Sequence, residues 1–348
     1  MSLKEHIRIR ISEDGPMPFE EFMRLALYHA EGFFGGGRLR SEKGGDFLTS
    51  PEVSPHFGAT MAQYVAAEHR RIGDPFAFYE VGAGSGSLLR PLLDTYPVDA
   101  YAVDASPAAR KALASFLPSG RILESLDDFS ASMRGVVLAN ELIDNLPMAV
   151  AQRVDGTWRE RWVDIDSDGF VFVDRAPRPE VSAWLDEYAG EVADGGWVEA
   201  QIEAAAWLRR AIHLLEAGSI IIIDYGDTSV GLLQRRADGT LRTYRAHHLG
   251  PHPLDEPGET DITADVNFTA LEKVAVQAGA EVRMVRQDDF LGELGLRDRL
   301  SQLRHSELEA TRVGDEVERL KIRSTKTAVE TLLHPRGLGD FRVLTITV

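Results

Sequence analysis

The sequence predicts an α/β fold built on a seven-stranded, mostly parallel sheet, and three observations predict it. Short apolar runs alternate with helical stretches from residue 77 onward, a glycine cluster follows the first of those runs, and two strand-like runs end the chain around a mainly helical excursion. With 348 residues, 44% of them hydrophobic, the chain is long enough for one large domain with insertions, or two modest ones, around a sizeable core. It contains no apolar run long enough to span a membrane.

Phe22, Leu25, Ala26 and Tyr28 recur near helical spacing within Phe19–His29, and Gly32–Gly37 then stops the helix. Pro55–His69 reads as a second helix, broken at Asp74-Pro75. Residues 1–75 are therefore expected to form a helical and looped addition ahead of a sheet domain, 76–348. In that domain Ala77–Val81, Ala100–Val103, Val136–Ala139 and Ile220–Ile223 read as strands, with Leu88–Thr95 and Pro107–Phe116 as helices between the first three. An insertion at about 148–216 contains Ala149–Val154, Trp158–Ile165 and Phe170–Val173, separated by Asp155-Gly156 and Asp168-Gly169, the turn signals of an antiparallel meander. Val198–Glu216 has no proline and carries apolar residues at helical spacing ahead of Gly218, so the insertion is expected to turn helical. An additional segment, about 227–264, precedes the helical stretch Phe268–Ala278, the strand Glu281–Val285 and a final strand, Phe341–Val348, that can run antiparallel to its neighbours.

The 38 Lys and Arg against 55 Asp and Glu give a net charge of −17, a field that repels nucleic acid and favours a cationic partner. The absence of cysteine removes disulfides, thiolate zinc sites and cysteine nucleophiles. Charged and short apolar residues alternate over Met1–Arg10, unlike a signal peptide, and a cytoplasmic product is expected. His247-His248 lacks metal-ligand spacing, and neither Ser50 nor Ser85 sits in a nucleophile elbow, so no metal site and no serine triad are expected.

Glu80-Val81-Gly82-Ala83-Gly84-Ser85-Gly86 ends the first strand and opens a helix, where an α/β sheet lets a ligand approach backbone amides. Ser87 stands where a dinucleotide fingerprint wants its third glycine or alanine, which counts against a nicotinamide cofactor. Asp104 closes the next strand, and a carboxylate there can accept both ribose hydroxyls of an adenosine. This spacing resembles the S-adenosylmethionine loop of class I methyltransferases, and the Glu80 carboxylate would complement that cofactor's positive charge. After the strand Val136–Ala139 comes Asn140-Glu141-Leu142-Ile143-Asp144-Asn145-Leu146-Pro147, polar groups delivered to the carboxyl edge of the sheet. Glu141 and Asp144 are three apart, so one helical turn would bring both to one side, where two carboxylates can hold a guanidinium. The loop Gly45–Ser54, with Ser50 facing the ligand, can lie over the cofactor, and Asp224-Tyr225-Gly226 can line an acceptor pocket.

These pieces, joined by Gly15–Phe19 through Tyr28-His29, Gly45–Glu52 to Phe57-Gly58, Gly239–Arg245, Asp261–Thr263 and Val266–Phe268, resemble in their order the MidA-type class I methyltransferases. That family includes the mitochondrial complex I assembly factor 7 group. The resemblance spans nearly the whole chain. It departs from the family pattern at Ala30, Phe33-Phe34, Ala83 and Asn145. It implies a Rossmann-like class I methyltransferase sheet with a helical amino-terminal addition and a β-containing insertion, and S-adenosyl-L-methionine as methyl donor, leaving S-adenosyl-L-homocysteine. For the mitochondrial relatives it implies symmetric dimethylation of a protein arginine on a respiratory complex I subunit. The expected site is then Glu141, Asp144 and Asn140 for catalysis, Glu80, Gly82, Ala83, Gly84, Gly86, Asp104 and Ser50 for the cofactor, and Asp224 and Tyr225 for the acceptor. The acceptor is expected to be a protein arginine, with a small molecule methylated at oxygen or nitrogen as the alternative. A non-catalytic scaffold that keeps the fold is the third reading, and a homodimer stays among the expectations.

Overall fold

Seven strands form the central sheet: β1 (Ala77–Val81), β2 (Ala100–Val103), β3 (Ile122–Leu123), β4 (Met133–Asn140), β5 (Leu215–Asp224), β6 (Glu281–Arg286) and β7 (Arg342–Thr347). The computed structural model describes residues 1–40, 49–235, 239–245 and 248–348, so the expectations placed on Gly45-Asp46-Phe47-Leu48 and on His247 lie outside the described residues. Across the sheet the order is β3-β2-β1-β4-β5-β7-β6. The pairs from β3 to β5 are parallel. β7 alone is reversed, lying antiparallel between β5 and β6 with Ile221 opposite Thr345 and Met284 opposite Leu344. The expected mostly parallel seven-stranded sheet and its reversed last strand are therefore both present.

The continuous apolar runs of β1, β4 and β5 follow from burial on both faces, because successive side chains alternate. Phe78, Leu138 and Ile221 pack with Phe57, Met61 and Val65 of the helix His56–Ile72 on one side. Tyr79, Val137 and Ile220 pack with Leu208 and Leu271 on the other. The helices Leu89–Thr95 and Pro107–Leu113 make the crossovers between β1, β2 and β3.

Three segments depart from the sequence reading. Val198–Glu216 is not one helix: Trp197–Ala200 is a strand paired antiparallel with Ala149–Val154, the helix is confined to Ile202–Leu214, and β5 begins at Leu215. The cause is a cross-strand partner, invisible to periodicity, together with the buried Glu199 carboxylate, which accepts from the Thr240 and Leu241 amides. β3 is only two residues long and carries no pattern of its own. The chain also opens with a helix, Leu3–Asp14, whose start is fixed by a capping box between Ser2 and Glu5 and whose Leu3, Ile7 and Ile11 are buried.

The meander of the insertion, Ala149–Val154, Thr157–Ile165 and Phe170–Arg175, shares a core with the amino-terminal helices. Phe22 stands edge-on to Phe170 at 5.5 Å, and Met17 and Pro18 pair with Val163 and Trp162. Arg178 ties the two together through Glu160 at 2.8 Å and Glu20 at 2.7 Å. A smaller sheet joins Arg242–Arg245 to Asp261–Thr263, with Arg242 directly opposite Thr263. Between β6 and β7 a hairpin of two long helices, Leu296–Val313 and Glu316–Leu332, turns at Gly314.

Candidate active site

The carboxyl ends of β1, β2, β4 and β5 meet along one edge of the sheet. The Gly82 amide donates to the Val103 carbonyl at 2.8 Å and the Glu141 amide to the Ile223 carbonyl at 2.8 Å, so the loop that follows each strand is anchored on its neighbour. After β1 the chain turns through Gly82 and Gly86 at φ of 74° and 79°, conformations costly for other residues. A side chain at Gly82 would meet Leu142 at 3.1 Å and one at Gly86 the Phe116 ring at 2.6 Å. Asp104, at the end of β2, accepts from the Gly84 amide on one oxygen and the Ser106 amide on the other, both at 2.8 Å. Each oxygen keeps further acceptor capacity.

A cavity of about 280 Å³ lies over this loop, lined by Glu80, Gly82, Ala83, Gly84, Asp104, Asn140 and Glu141. Glu80 is 4% exposed, and among the described residues its Oε2 has no hydrogen-bond partner. Burial, reinforced by the charge of Asp104, pushes its carboxyl well above the usual range. A partly enclosed cradle of backbone around an uncompensated carboxylate fits a nucleoside that carries a cationic amino-acid arm. Gly86 turns the loop without lining this cavity, and Ser50 does not line it either, although its neighbours Thr49 and Pro51 do. Ser50 instead donates its amide to Glu141 Oε1 at 3.1 Å.

A second cavity, about 920 Å³, opens on the other side of the 140s segment and shares Glu141 and Asn145 with the first. Its wall carries Asp144, Tyr225, Arg242, Asp261, Asp265 and Asp340, with Thr327, Glu330, Thr331 and His334 contributed by the end of the helical hairpin. The single 3₁₀ turn Ile143–Asn145 does not include Glu141, which precedes it at a φ of 50°, a strained backbone for a side-chain-bearing residue. Both carboxylates nonetheless border the second cavity, although no shared helical turn brings them there. Glu141 Oε1 accepts from Ser50 and from Asn140 Nδ2, and burial pushes its carboxyl up to about 8 against these bonds. Asp144 is 4% exposed and is raised by burial, opposed by hydrogen bonds from Thr263 and Tyr225 and by the charge of Arg242.

Asp224 is placed differently from the expectation. It lines neither cavity, because its Oδ2 accepts the Ile143 and Asp144 amides at 3.0 and 3.2 Å and its Oδ1 the Tyr225 amide at 3.0 Å. It shapes the loop from below. Tyr225 does line the second cavity. Sequence reasoning missed Tyr28, whose hydroxyl donates to the Asn145 carbonyl at 3.2 Å, and Trp207, both in the first cavity. It also missed Arg242 and the hairpin residues of the second, and Thr263, whose hydroxyl donates to Asp144. The only signal for Arg242 and Thr263 was their place in the motifs Gly239–Arg245 and Asp261–Thr263.

Comparison with known proteins agrees with this geometry. A family model described as "Putative S-adenosyl-L-methionine-dependent methyltransferase" matches residues 60–285, well over half the chain. The chain belongs to this family. A Burkholderia thailandensis protein crystallised with S-adenosyl-homocysteine matches with a TM-score of 0.86 at 30% identity, over 99% of this chain and 92% of that one. The "Protein arginine methyltransferase NDUFAF7 homolog, mitochondrial" of Drosophila melanogaster is 30% identical, over 87% of this chain and 77% of the relative. The Homo sapiens protein of that name is 28% identical, over 86% and 74%. The methyltransferase therefore uses S-adenosyl-L-methionine, as its loop predicts. The cytoplasmic expectation is overturned, because these curated relatives are mitochondrial. That expectation rested on Met1–Arg10 being unlike a secretory signal peptide, a test that does not tell one non-secretory compartment from another.

Proposed function

We propose that this methyltransferase modifies a nitrogen of a protein arginine side chain. The observation that carries the reading is the junction of the two cavities at Glu141 and Asn145, with a wall of carboxylates on the acceptor side. A guanidinium entering there meets Asp144 and Glu141 next to the cofactor loop, and the relatives named as protein arginine methyltransferases support the same acceptor.

Under this reading Glu80, Gly82, Ala83 and Gly84 cradle the cofactor, Gly86 sets the turn, and Asp104 holds the ribose. When bound, S-adenosyl-L-methionine supplies a methyl group from a positively charged sulfur, the new N–C bond forming as the C–S bond breaks and its electron pair stays on sulfur. Asp144 and Glu141 orient the acceptor nitrogen in line with that group, and restricting its rotation lowers the barrier. The nitrogen gives up one proton, and Glu141 takes it. Asn140 steadies Glu141 through its amide at 3.2 Å, and Ser50 acts on the same oxygen rather than on the cofactor. Tyr28 and Trp207 line the first cavity beside the cofactor loop and add apolar surface to its wall.

The test is incubation with tritiated S-adenosylmethionine and paired glycine-rich peptides that differ only in carrying arginine or lysine, followed by mass measurement of the peptide. Label in the arginine peptide alone is expected. Turnover confined to small hydroxylated or amine acceptors, with both peptides inert, would overturn the reading.

A further inference from the structure

Asp144 is held from one side only. Its Oδ2 accepts the Tyr225 hydroxyl at 2.5 Å and the Thr263 hydroxyl at 2.7 Å, and those two hydroxyls also contact each other. Its Oδ1 is buried and, among the described residues, has no hydrogen-bond partner. An unpaired buried carboxylate oxygen costs free energy unless something arrives to use it, and Asp144 lines the second cavity.

The supports of this arrangement come from three separate parts of the chain. Tyr225 follows β5, and its ring is fixed edge-on against Phe341 at 5.6 Å. The Arg242 guanidinium lies 5.3 Å from the centroid of the Tyr225 ring and is ion-paired with Asp265. Thr263 stands directly across the small sheet from Arg242, and the next residue, Ala264, donates its amide to the Asp144 carbonyl at 3.2 Å. Backbone and side chain of Asp144 are thus clamped by the strand Asp261–Thr263, while Asp224 holds the amide from below at 3.2 Å. Glu141 is supported differently, by amide groups of Ser50 and Asn140 acting on one oxygen, with no cation beside it in that set.

We propose that Thr263 and Tyr225 are positioning residues that pin Asp144 through Oδ2 and leave Oδ1 to the acceptor. The two carboxylates then divide the work: Asp144 is the fixed anion that orients the guanidinium, and Glu141 takes the proton. This inference rests on the arginine reading and deepens it. Arg242 contributes by placing a positive charge beside Tyr225 and Asp144, which favours the ionised Asp144 that orientation needs. The upward shift of the Glu141 carboxyl agrees with its role as the group that gains the proton.

The experiment compares wild type with Thr263→Val, Thr263→Ser and Tyr225→Phe, using tritiated S-adenosylmethionine and the glycine-rich arginine peptide. KM and kcat for the peptide are read, with S-adenosylhomocysteine affinity by calorimetry and melting temperature as controls. Losing one hydrogen bond to a charged group is expected to raise the peptide KM about tenfold in Thr263→Val and Tyr225→Phe. Thr263→Ser, which keeps the hydroxyl, should stay near wild type, and S-adenosylhomocysteine affinity should not move. Wild-type KM in both hydroxyl-deleted variants would overturn the proposal. So would a Thr263→Ser variant as impaired as Thr263→Val at an unchanged melting temperature. A wild-type enzyme that labels no arginine peptide sinks the arginine reading, and this inference with it, which separates that failure from the other two.

Discussion

The two cavities that meet at Glu141 are built in opposite ways. The first cavity takes two near-continuous runs from the ends of adjacent strands, Glu80 to Ser85 with Ser87 at β1 and Val103 to Ser106 at β2, and completes its wall with residues such as Tyr28, Thr49, Asn140 and Trp207. The second cavity draws Asp144, Tyr225, Arg242, Asp261, Asp340 and the end of the hairpin's second helix together from segments far apart in sequence. A nucleotide-like ligand needs backbone amides and one or two carboxylates, which a single strand–turn–helix unit supplies. A charged acceptor needs several side chains converging from different directions, which only tertiary packing provides. The cofactor half can therefore stay fixed while the acceptor half changes with substrate.

The largest expected effect lies where the halves join. Glu141→Gln should cut turnover by about 10²- to 10⁴-fold while leaving S-adenosylhomocysteine affinity within about twofold, since a positioned base contributes on that scale. The wild-type kcat/KM for the arginine peptide should rise with pH and level off above about 8, where Glu141 becomes ionised, and the variant should lose that dependence. Asp144 and Glu52 are anions that face Glu141 and act in the same upward direction as burial, and Glu141 in turn helps to raise the buried Asp224. Stability should respond with the opposite sign. A carboxyl raised from 4.5 to about 8 on folding contributes stability that is full below 4.5 and lost as pH rises through 8. Glu141→Gln should therefore melt about 2–4 °C higher than wild type at pH 8 and above, and the advantage should vanish in acid.

Next in size, Gly82→Val should weaken S-adenosylhomocysteine binding about 10- to 100-fold by calorimetry. It forces a β-branched residue into a φ of 74° with Leu142 at 3.1 Å. If this variant impaired only the peptide KM, the separation of the two halves would be wrong. Asp224→Asn should lower stability by about 1–3 kcal/mol in denaturant titration, because an amide offers one acceptor oxygen where three backbone amides now bind two. The smallest effect belongs to the exposed pair Arg283 and Glu293, where alanine at either position should change stability by less than about 1 kcal/mol and leave both ligands unaffected.

The same contrast decides what could be read from the sequence. The parallel sheet was legible because β1, β4 and β5 are buried on both faces and appear as unbroken apolar runs. The cofactor loop was legible because its glycines and Asp104 keep fixed offsets from strand ends. Glu141 and Asp144 could be named from their place after β4, but Asp224 could not be assigned correctly: a carboxylate at a strand end looks the same whether it faces a cavity or receives three amides from beneath. Thr263 and Arg242 become neighbours of Asp144 only when the strands Arg242–Arg245 and Asp261–Thr263 pair. Nothing local marks that pairing. The strand hidden in Val198–Glu216 failed for the same reason, since Trp197–Ala200 owes its conformation to Ala149–Val154 across the meander.

If an independent acceptor site adjoins the cofactor site across the 140s segment, Asp144→Asn separates the two. S-adenosylhomocysteine affinity and arginine-peptide labelling are measured on the same preparation. Affinity within about twofold of wild type is expected, with labelling reduced about 100-fold, on the scale set by removing one positioned charge from a buried site. Wild-type labelling by Asp144→Asn, or loss of S-adenosylhomocysteine binding together with labelling in a folded protein, would contradict it.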